Sequence, residues 1–362
     1  MNNLSKKYKI IMTGGGSGGP VSPLLALVDY LKAEHNENFE FVWVGTKSGP
    51  EKDMVNSKQL HFLAISSGKF RRYFSLLNFV DIFKIFFGFL QATIVIFKEK
   101  PDLVMSAGGF VSVPVAYAAR LMHVPVLIHQ QDIIPGLANK IMAPIATKIT
   151  VTFKKSLDQY GKKAVWTGNP VREEIKNINS KDYAYFGLKE NMPVVLILGG
   201  GTGAMGINKL IQKFINELGE VYQIFHQTGK GKDLKIKHKN YFSKEFVNAQ
   251  EMAKLLFLAD IVITRCGLGT LTELAYLRKS CVLIPMPNSH QEYNAKIFKE
   301  NNAAVVLSEK SLDKEKFILE IKSLLDNLDK RKLLSVNIGS VIKQDAEEKI
   351  VKEIFKILKN DK

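Results

Sequence analysis

The sequence predicts an α/β protein in which two Rossmann-like domains, each built on a parallel sheet, face each other across a cleft. Three observations predict this fold: two glycine-rich loops of the same design, alternating strand-like and helix-like runs, and a length of 362 residues. A chain of this length can form two domains that each bury a core. Alternating strands and helices are what a parallel sheet with crossover helices requires.

Each glycine-rich loop lies between an apolar run and a helix-like segment. The first loop, GGGSGG at residues 14–19, follows the run 8–12, and the second, GGGTGAMG at residues 199–206, follows the run 194–198. A turn of this kind lets backbone N–H groups approach a phosphate at the positive end of a helix. Two such turns predict a phosphorylated ligand between the domains.

The other strands are predicted from continuous runs of valine, isoleucine and leucine, which are typical of strands covered on both faces. These runs are residues 41–44, 103–105, 124–128, 148–151, 194–198, 222–226, 261–264 and 281–285. Amphipathic patterns predict helices at residues 23–32, 138–146, 208–218 and 269–277. The turn-rich residues 167–170 mark a boundary, so we expect domains at 1–167 and 168–344, with a C-terminal helix in 345–362 packing back on the first domain.

The composition, 46% hydrophobic and 24% charged, is that of a folded soluble protein. Two cysteines exclude a disulfide framework and fit a reducing compartment. The net charge of +16 favours anionic partners, although a lysine-rich solvated surface explains it equally well. The sequence contains no recognisable nucleic-acid-binding module, so we expect no nucleic acid partner.

The spacing G-x-G-x-x-G occurs in both loops and raises the alternative of a dinucleotide site. Such a site carries an acidic residue at the end of the second strand, where it binds ribose hydroxyls. Here the second strand ends in VWVGTK at residues 42–47, without a carboxylate. The NAD interpretation therefore loses most of its support.

Eight stretches together resemble the MurG family of bacterial glycosyltransferases, in the same order and over nearly the whole chain. They are residues 14–27, 106–115, 128–140, 167–173, 198–208, 226–231, 264–277 and 288–295. The resemblance implies the GT-B fold. It also implies inverting transfer of N-acetylglucosamine from UDP-GlcNAc to the muramyl sugar of undecaprenyl-linked lipid I, giving lipid II in peptidoglycan synthesis.

The resemblance implies that the C-terminal domain binds the donor. Arg172 matches the arginine assigned to the donor phosphates, and a guanidinium is well suited to a diphosphate. Glu273 is implied to accept the ribose hydroxyls, and Gln291 to bind the sugar hydroxyls with His290 and Asn294 beside it. The other implied donor-binding residues are Ser17, Gly18, Gly19, Asp132, Thr202, Val247, Leu268, Gly269, Thr270, Leu271 and Thr272.

On the acceptor side, backbone N–H groups of two loops in the first domain are expected to cradle the lipid diphosphate. The residues are Gly16, Ser17, Gly108, Gly109 and Phe110, with Asn139 beside them. We expect no cofactor and no metal, because the sequence has no Asp-x-Asp pair that would hold a divalent ion against the donor diphosphate. Helix N-termini and Arg172 would stabilise the departing UDP instead.

Two stretches depart from the family pattern. The usual histidine after the first loop is replaced by Pro20, which suits the first helical position but supplies no imidazole. The common His-Glu-Gln-Asn reads HQQD at residues 129–132, which puts a carboxylate at the end of a parallel strand. We hypothesise that Asp132 is the catalytic base, assisted by His129, and the alternative is that Asp132 caps a turn.

Residues 69–98 are strongly apolar, but Asp81 and Lys84 leave an uncharged run too short to span a bilayer. Helical spacing places three phenylalanines on one face, with basic residues around them: Phe79, Phe83, Phe86, Lys69, Arg71, Arg72 and Lys84. This pattern predicts a patch that enters the membrane interface and meets anionic headgroups. We therefore expect a peripheral protein at the cytoplasmic face of the cell membrane.

Two other functions remain open. Another GT-B enzyme could use a different lipid acceptor or epimerise UDP-GlcNAc, and a protein of another class could bind nucleotide sugars without turnover. The partners expected under the main interpretation are UDP-GlcNAc, lipid I, an anionic membrane surface and other proteins of cell-wall synthesis.

Overall fold

The computed structural model describes residues 7–35, 38–68, 77–200, 203–311 and 313–360. The chain divides into two compact units. Unit 1 comprises Met1–Arg172 and Lys343–Lys362, and unit 2 comprises Glu173–Ile342. Each unit is a parallel sheet with helices packed on it, as the alternating pattern predicts.

The strands of the described ranges are β1 (Tyr8–Thr13), β2 (Phe39–Thr46), β3 (His61–Ile65), β4 (Leu103–Ser106), β5 (Val126–Gln130), β6 (Lys148–Val151), β7 (Ala164–Trp166), β8 (Val194–Leu198), β9 (Gln223–Gln227), β10 (Tyr241–Lys244), β11 (Ile261–Thr264), β12 (Cys281–Leu283) and β13 (Val305–Val306). The α-helices are α1 (Ser22–His35), α2 (Glu51–Asn56), α3 (Leu77–Glu99), α4 (Ser112–Leu121), α5 (Leu137–Met142), α6 (Glu173–Lys176), α7 (Met205–Gly219), α8 (Ala249–Leu258), α9 (Leu268–Tyr276), α10 (His290–Glu300), α11 (Lys314–Asp326), α12 (Leu328–Val341) and α13 (Ala346–Asn360).

The sheet of unit 1 has the strand order β3-β2-β1-β4-β5-β6-β7. Alternate residues of β1 face opposite sides, so that Ile10 and Met12 join one core and Ile11 joins the other. The order reverses between β1 and β4, where Thr13 pairs with Ser106. In open parallel sheets the carboxyl edge at such a reversal is the usual place for a ligand, and the first glycine-rich loop begins there.

The C-terminal helix completes unit 1. Ile350, Ile354 and Ile357 of α13 are buried in the same core as Leu24 of α1 and Trp43 of β2. The apolar stripe of the sequence therefore packs on the first domain, which confirms that prediction.

The sheet of unit 2 has the order β10-β9-β8-β11-β12-β13 and reverses between β8 and β11. The second glycine-rich loop follows β8, and the loop 265–267 follows β11. Both therefore lie at the carboxyl edge of the switch point. Phe214 of α7 and Phe317 of α11 pack together in the core that covers one face of this sheet, with ring centroids 5.1 Å apart and the ring planes tilted by 38°.

The sequence patterns predict most of these elements but miss the short strands β3, β7, β10 and β13. The predicted helix 138–146 divides at Met142, and a 3-10 turn follows at Ala143–Ile145. Pro144 explains the division, because it lacks the N–H group that would continue the helix. Pro20 is not the first helical residue: α1 begins at Ser22, after a turn in which Ser22 N–H donates to Gly18 O at 3.0 Å.

Candidate functional site

In unit 2, α9 presents its N-terminus at the carboxyl edge of β11. Gly267 is the N-cap residue, and no side chain of the described residues hydrogen-bonds the cap position. The first backbone N–H groups of a helix have no partner within the helix, and they carry its positive end. The amides of Leu268, Gly269 and Thr270 therefore form an electropositive helix end suited to a phosphate.

Gln291 joins the two loops beside this helix end. Its Oε1 accepts hydrogen bonds from Cys266 N–H and Met286 N–H, each at 3.1 Å. Asn294, one turn later on α10, donates from Nδ2 to Cys266 O at 3.2 Å. Because the backbone occupies Oε1, the amide of Gln291 has only its Nε2 hydrogens for a ligand.

The other predicted donor residues are mostly buried. The side chains of Leu268, Leu271 and Thr272 are within the fold, and the Thr272 hydroxyl donates to Leu268 O at 2.8 Å. Leu268, at the helix end, is thus left with its backbone N–H group for ligand contact, whereas Leu271 N–H donates to Gly267 O at 3.1 Å. Glu273 is 7% exposed, and Thr202 lies outside the described residues.

Val247 is fixed at the N-terminus of α8 by a capping box in the next turn. Asn248 Oδ1 accepts from Glu251 N–H, and Glu251 Oε2 accepts from Asn248 N–H, both at 2.9 Å. Such a reciprocal pair sets the angle at which the chain enters a helix. The backbone of Val247 is thereby held at the carboxyl side of β10.

A partly buried ion pair, which sequence reasoning missed, lies against the second glycine-rich loop. Arg265 Nη1 is 2.6 Å from Glu309 Oε2, and the guanidinium also donates to Ile284 O and Pro285 O. A Cβ atom on Gly206 would overlap the Glu309 carboxylate and lie 2.9 Å from Arg265 Nη2. Arg265 directly follows a buried strand, a signal that could have marked it, whereas nothing in the local sequence marks Glu309.

In unit 1, a carboxylate from outside the first loop binds to the backbone of the loop. Gly16, with φ of 82°, donates its N–H to Glu51 Oε2 at 3.1 Å. Glu51 is fully buried and also accepts from Thr46 N–H at 2.8 Å and from the Thr46 hydroxyl. The N–H group of Gly16, expected to cradle the acceptor diphosphate, is therefore occupied by a side chain, which corrects that expectation.

The remaining acceptor-side residues surround this loop. Gly109, with φ of 95°, packs its backbone on Gly15: a Cβ atom there would lie 2.8 Å from Gly15 N. The Phe110 ring covers Gly16 in the same way. Gly108 faces Asn139 Oδ1, a buried atom for which no hydrogen-bond partner is found among the described residues.

Ser17, Gly18 and Gly19 remain at the surface of the loop. Gly19 O accepts a hydrogen bond from Gln131 Nε2 at 3.1 Å, so the loop is tied to the segment that follows β5. Gly18 O begins the turn into α1. The exposed part of the loop is thus fixed at both of its ends.

His129 is completely buried, and both of its ring nitrogens are hydrogen-bonded. Nε2 is 2.8 Å from Asn169 Oδ1, and Nδ1 is 2.9 Å from the Thr150 hydroxyl. Burial lowers the pKa of His129 to about 4, so the ring is neutral near pH 7. With both nitrogens engaged, His129 cannot assist Asp132 as the sequence suggested, and this corrects its predicted role.

Asp132 is partly exposed at the carboxyl end of β5. Gln130 Nε2 donates to the main-chain oxygen of Asp132 at 2.6 Å, and Gln130 Oε1 accepts from Asn139 Nδ2 and the Tyr160 hydroxyl. These contacts hold the backbone of residue 132. Arg172 is partly buried at the end of unit 1, where Val171 N–H donates to the buried Glu347 carboxylate at 2.7 Å.

Helix α3 has an exposed apolar face. Phe83 and Phe86 are 66% and 57% exposed, whereas Ala92 and Ile96 on the other face are buried in the core. Further exposed apolar residues of α3 are Ile82, Phe87, Leu90, Ile94 and Phe97. Together these seven exposed residues form the α3 patch, next to Lys84.

The rest of the predicted membrane patch is not covered by the structure. Lys69, Arg71, Arg72 and the side chain of Phe79 lie outside the described residues. None of the helices in the described ranges is both long enough and apolar enough to cross a bilayer. In the same ranges, no three His, Cys, Asp or Glu side chains are grouped so that they could hold a metal ion.

Comparison with known proteins finds matches to both units of the chain. Residues 10–151 match the glycosyltransferase family 28 N-terminal domain, and residues 194–354 match the glycosyltransferase family 28 C-terminal domain. The chain is 41% identical over 333 residues to the UDP-N-acetylglucosamine--N-acetylmuramyl-(pentapeptide) pyrophosphoryl-undecaprenol N-acetylglucosamine transferase of Clostridium perfringens, covering 90% of this chain and 92% of that protein. The Borrelia hermsii protein of the same name is 37% identical, with 98% of each chain covered.

Solved structures agree. The crystal structure of Acinetobacter baumannii MurG superposes with a TM-score of 0.73 at 26% identity, covering 96% of this chain and 99% of that chain. The glycosyltransferase of kitacinnamycin superposes with a TM-score of 0.75 at 15% identity, covering 97% of this chain and 99% of that chain, a likeness of fold alone. The predicted GT-B architecture is thereby confirmed, and the chain belongs to the MurG family within glycosyltransferase family 28.

Proposed function

We propose that this protein transfers N-acetylglucosamine from UDP-GlcNAc to the MurNAc 4-hydroxyl of lipid I, giving lipid II for peptidoglycan. The name shared by its relatives supports the reaction. The structural observation that carries the proposal is the α9 N-terminus beside Gln291, whose Oε1 is already bound by backbone. That combination offers amide donors to a diphosphate and an oriented NH₂ group to a sugar hydroxyl.

The donor occupies the carboxyl edge of unit 2 in this proposal. The amides of residues 268–270 and the second glycine-rich loop bind the diphosphate, and Arg172 contributes its guanidinium. Val247 contacts uracil through its backbone, and Glu273 accepts the ribose hydroxyls. Of these assignments, the helix end is supported by the lack of a side-chain cap among the described residues, and Gln291 by its hydrogen bonds to Cys266 and Met286.

The reaction is a single displacement at the anomeric carbon, which inverts its configuration. As the bond to UDP breaks, negative charge develops on the diphosphate. Fixed amide dipoles stabilise such charge without reorganising, because they already point at it. We propose that the chemical step needs no divalent cation. The turnover rate measured in EDTA, with metal-free protein and substrates, should then equal the rate measured with added Mg²⁺.

Asp132 is proposed as the base that removes the proton of the acceptor hydroxyl. It is the partly exposed carboxylate at the carboxyl end of β5, and Gln130 fixes its backbone. Asp132→Asn should lower kcat by at least about a hundredfold and leave the Kd for UDP within twofold. Asp158→Asn, an exposed aspartate of the same unit, is the matched control. Normal turnover by the Asp132 variant would remove this assignment.

The α3 patch is proposed to hold the protein on the cytoplasmic face of the membrane, where a polyprenyl acceptor is reached. Its support is a row of large apolar side chains exposed next to Lys84. Replacing Phe83 and Phe86 by serine should reduce pelleting with vesicles containing anionic lipid. Serine at Leu319 and Leu333 of unit 2, which are 68% and 58% exposed, is the control. Equal losses in both pairs would contradict a specific patch.

One assay tests the reaction itself: UDP release from UDP-GlcNAc with and without a lipid I analogue. Release that depends on the analogue supports the proposal. Release that requires a different lipid points to another GT-B reaction. Retained UDP binding without release under either condition identifies a nucleotide-sugar-binding protein without turnover.

A further inference from the structure

Glu51 is a buried carboxylate that the proposed reaction does not use. Its side chain has no exposed surface, and it reaches the first glycine-rich loop from the start of α2. Cβ atoms on Gly15 or Gly49 would overlap its carboxylate. Two positions around it therefore lack a side chain, and the space is filled by the Glu51 carboxylate group.

One of the three donors to Glu51 belongs to the glycine-rich loop, and the other two belong to Thr46 at the end of β2. Oε2 accepts from Gly16 N–H at 3.1 Å, and Oε1 accepts from Thr46 N–H at 2.8 Å and from the Thr46 hydroxyl. Backbone N–H groups of a glycine-rich turn beside a helix are the usual donors to a bound phosphate. Here an internal carboxylate receives one of them, the N–H group of Gly16.

The loop is held from three directions. Glu51 binds Gly16 N–H, Gln131 Nε2 binds Gly19 O at 3.1 Å, and Gly109 packs on the backbone of Gly15. Between these anchors, the exposed Ser17 and the partly exposed Gly18 form the tip of the loop. Removing any one anchor frees one end of that tip.

We propose that Glu51 is the built-in anion of the first glycine-rich loop: its carboxylate takes the position of a phosphate and sets the conformation in which Ser17–Gly19 meets the acceptor. Glu51 is thus a positioning residue for acceptor binding, a role that rests on the proposed function. The diphosphate of the acceptor is excluded from the Gly16 N–H, because that donor is occupied and a second anion beside a buried carboxylate is repelled.

The first test is independent of the reaction. Hydrogen exchange at the backbone amides of Gly16 and Thr46 is measured in the full chain for the wild type and Glu51→Gln. The glutamine amide has one oxygen that can accept a hydrogen bond, and its NH₂ group cannot accept from Gly16 N–H. The hydrogen-exchange rate at Gly16 should therefore rise about tenfold or more. Asp53→Asn removes an exposed carboxylate from the same turn of α2 and should leave exchange unchanged. Unchanged exchange at Gly16 in the Glu51 variant would overturn the proposal.

The second test is the steady-state kinetics of lipid-dependent UDP release. Glu51→Gln should raise KM for the lipid I analogue about tenfold and change KM for UDP-GlcNAc less than twofold. An equal rise in both KM values overturns the positioning role. If the wild type shows no lipid-dependent release, the proposed function fails while the exchange experiment still decides the role of Glu51.

Thr46 provides a milder variant should Glu51→Gln not fold. Thr46→Val removes the hydroxyl donor to Glu51, and Thr46→Ser retains it. The valine variant should shift Gly16 exchange and the acceptor KM in the same direction by a smaller factor, with the serine variant restoring both. Valine and serine variants that behave alike would contradict the proposal.

Discussion

The two glycine-rich loops share a backbone design but differ in the charge packed against them. Under the first loop, the buried Glu51 carboxylate accepts hydrogen bonds from the neutral groups of Gly16 and Thr46. Against the second loop, the Glu309 carboxylate next to Gly206 lies 2.6 Å from the Arg265 guanidinium. The carboxylate under the first loop therefore has neutral donors as partners, whereas the carboxylate against the second loop is paired with a guanidinium.

This difference teaches that a glycine-rich motif alone does not specify an anion site. A diphosphate that approaches the first loop meets a like charge in a medium of low dielectric constant, where repulsion is strong. At the second loop the carboxylate is paired with Arg265, and the nearby α9 N-terminus adds positive potential. The electrostatics thus favour the nucleotide diphosphate in unit 2 and agree with the donor site proposed there.

The largest effect is expected from removing the cation of the second loop. Arg265→Met removes the cation paired with Glu309 and the two hydrogen bonds that Arg265 donates to Ile284 O and Pro285 O. It should cost about 3 kcal/mol of unfolding free energy, at the low end for a buried pair because Glu309 is a quarter exposed. Urea unfolding measures this loss, and isothermal titration should show a UDP Kd raised about tenfold.

The matched variant is Arg265→Met with Glu309→Gln, which removes both charges. It should recover part of the lost stability, because no unpaired charge remains. A loss below about 0.5 kcal/mol in the single variant would mean that the second loop tolerates a bare carboxylate as the first does, and the contrast would disappear.

A smaller effect, on the pH dependence of stability, is expected from two histidines, His129 and His226, that are buried in the same way in the two units. His226 Nδ1 is 3.0 Å from the Tyr241 hydroxyl and Nε2 is 3.1 Å from Asn208 Oδ1, matching the hydroxyl and amide partners of His129. Burial lowers the pKa of both rings to about 4. Below the unfolded pKa of about 6.5 the unfolded chain binds protons that the folded chain does not, so stability falls as pH falls.

The expected loss is about 2 kcal/mol per histidine between pH 6.5 and pH 5, and it levels off below pH 4. Urea unfolding at several pH values measures it. His226→Gln should be less stable at pH 7 but should lose one histidine's share of the pH dependence. An unchanged slope in this variant would show that the ring does not titrate as its burial implies.

The smallest effect is expected from removing the Thr46 hydroxyl, which donates a hydrogen bond to Glu51 under the first loop. Thr46→Val removes one neutral donor from Glu51 and should cost about 1–2 kcal/mol of unfolding free energy, because the lost hydrogen bond is to a charged group. Thermal unfolding compares it with Thr46→Ser, which keeps the hydroxyl. If valine and serine are equally stable, the Thr46 hydroxyl contributes nothing to holding the carboxylate.

The sequence predicts those helices and strands whose hydrophobic pattern lies within a few consecutive residues. Runs such as Val194–Leu198 and the stripe of α13 carry their periodicity within a few residues, so the elements and their class can be inferred. The short strand β13 has only two residues and carries no pattern. Its place depends on pairing with β12, which is a property of the folded sheet.

Polar contacts within the candidate site could not be predicted in this way. The hydrogen bond from Gly16 to Glu51 joins residues 35 positions apart, and that from His129 to Asn169 joins residues 40 positions apart. Residues 42–47 contain no carboxylate, as the sequence analysis states. The helix that follows them, α2, nevertheless places the Glu51 carboxylate against the first loop. For His129, the residue type suggested chemistry, whereas complete burial and two bound nitrogens give it a structural role.

The composition of unit 1 has a consequence for synthesis on the ribosome. Its core includes Ile350 and Ile354 of α13, which are translated only after the whole of unit 2 has been synthesised. Unit 2 is an uninterrupted segment and has all of its strands and core residues before that moment. The first unit to be translated is therefore the last to be completed, and until then the apolar surface of α1 and β2 that α13 covers is a target for chaperones.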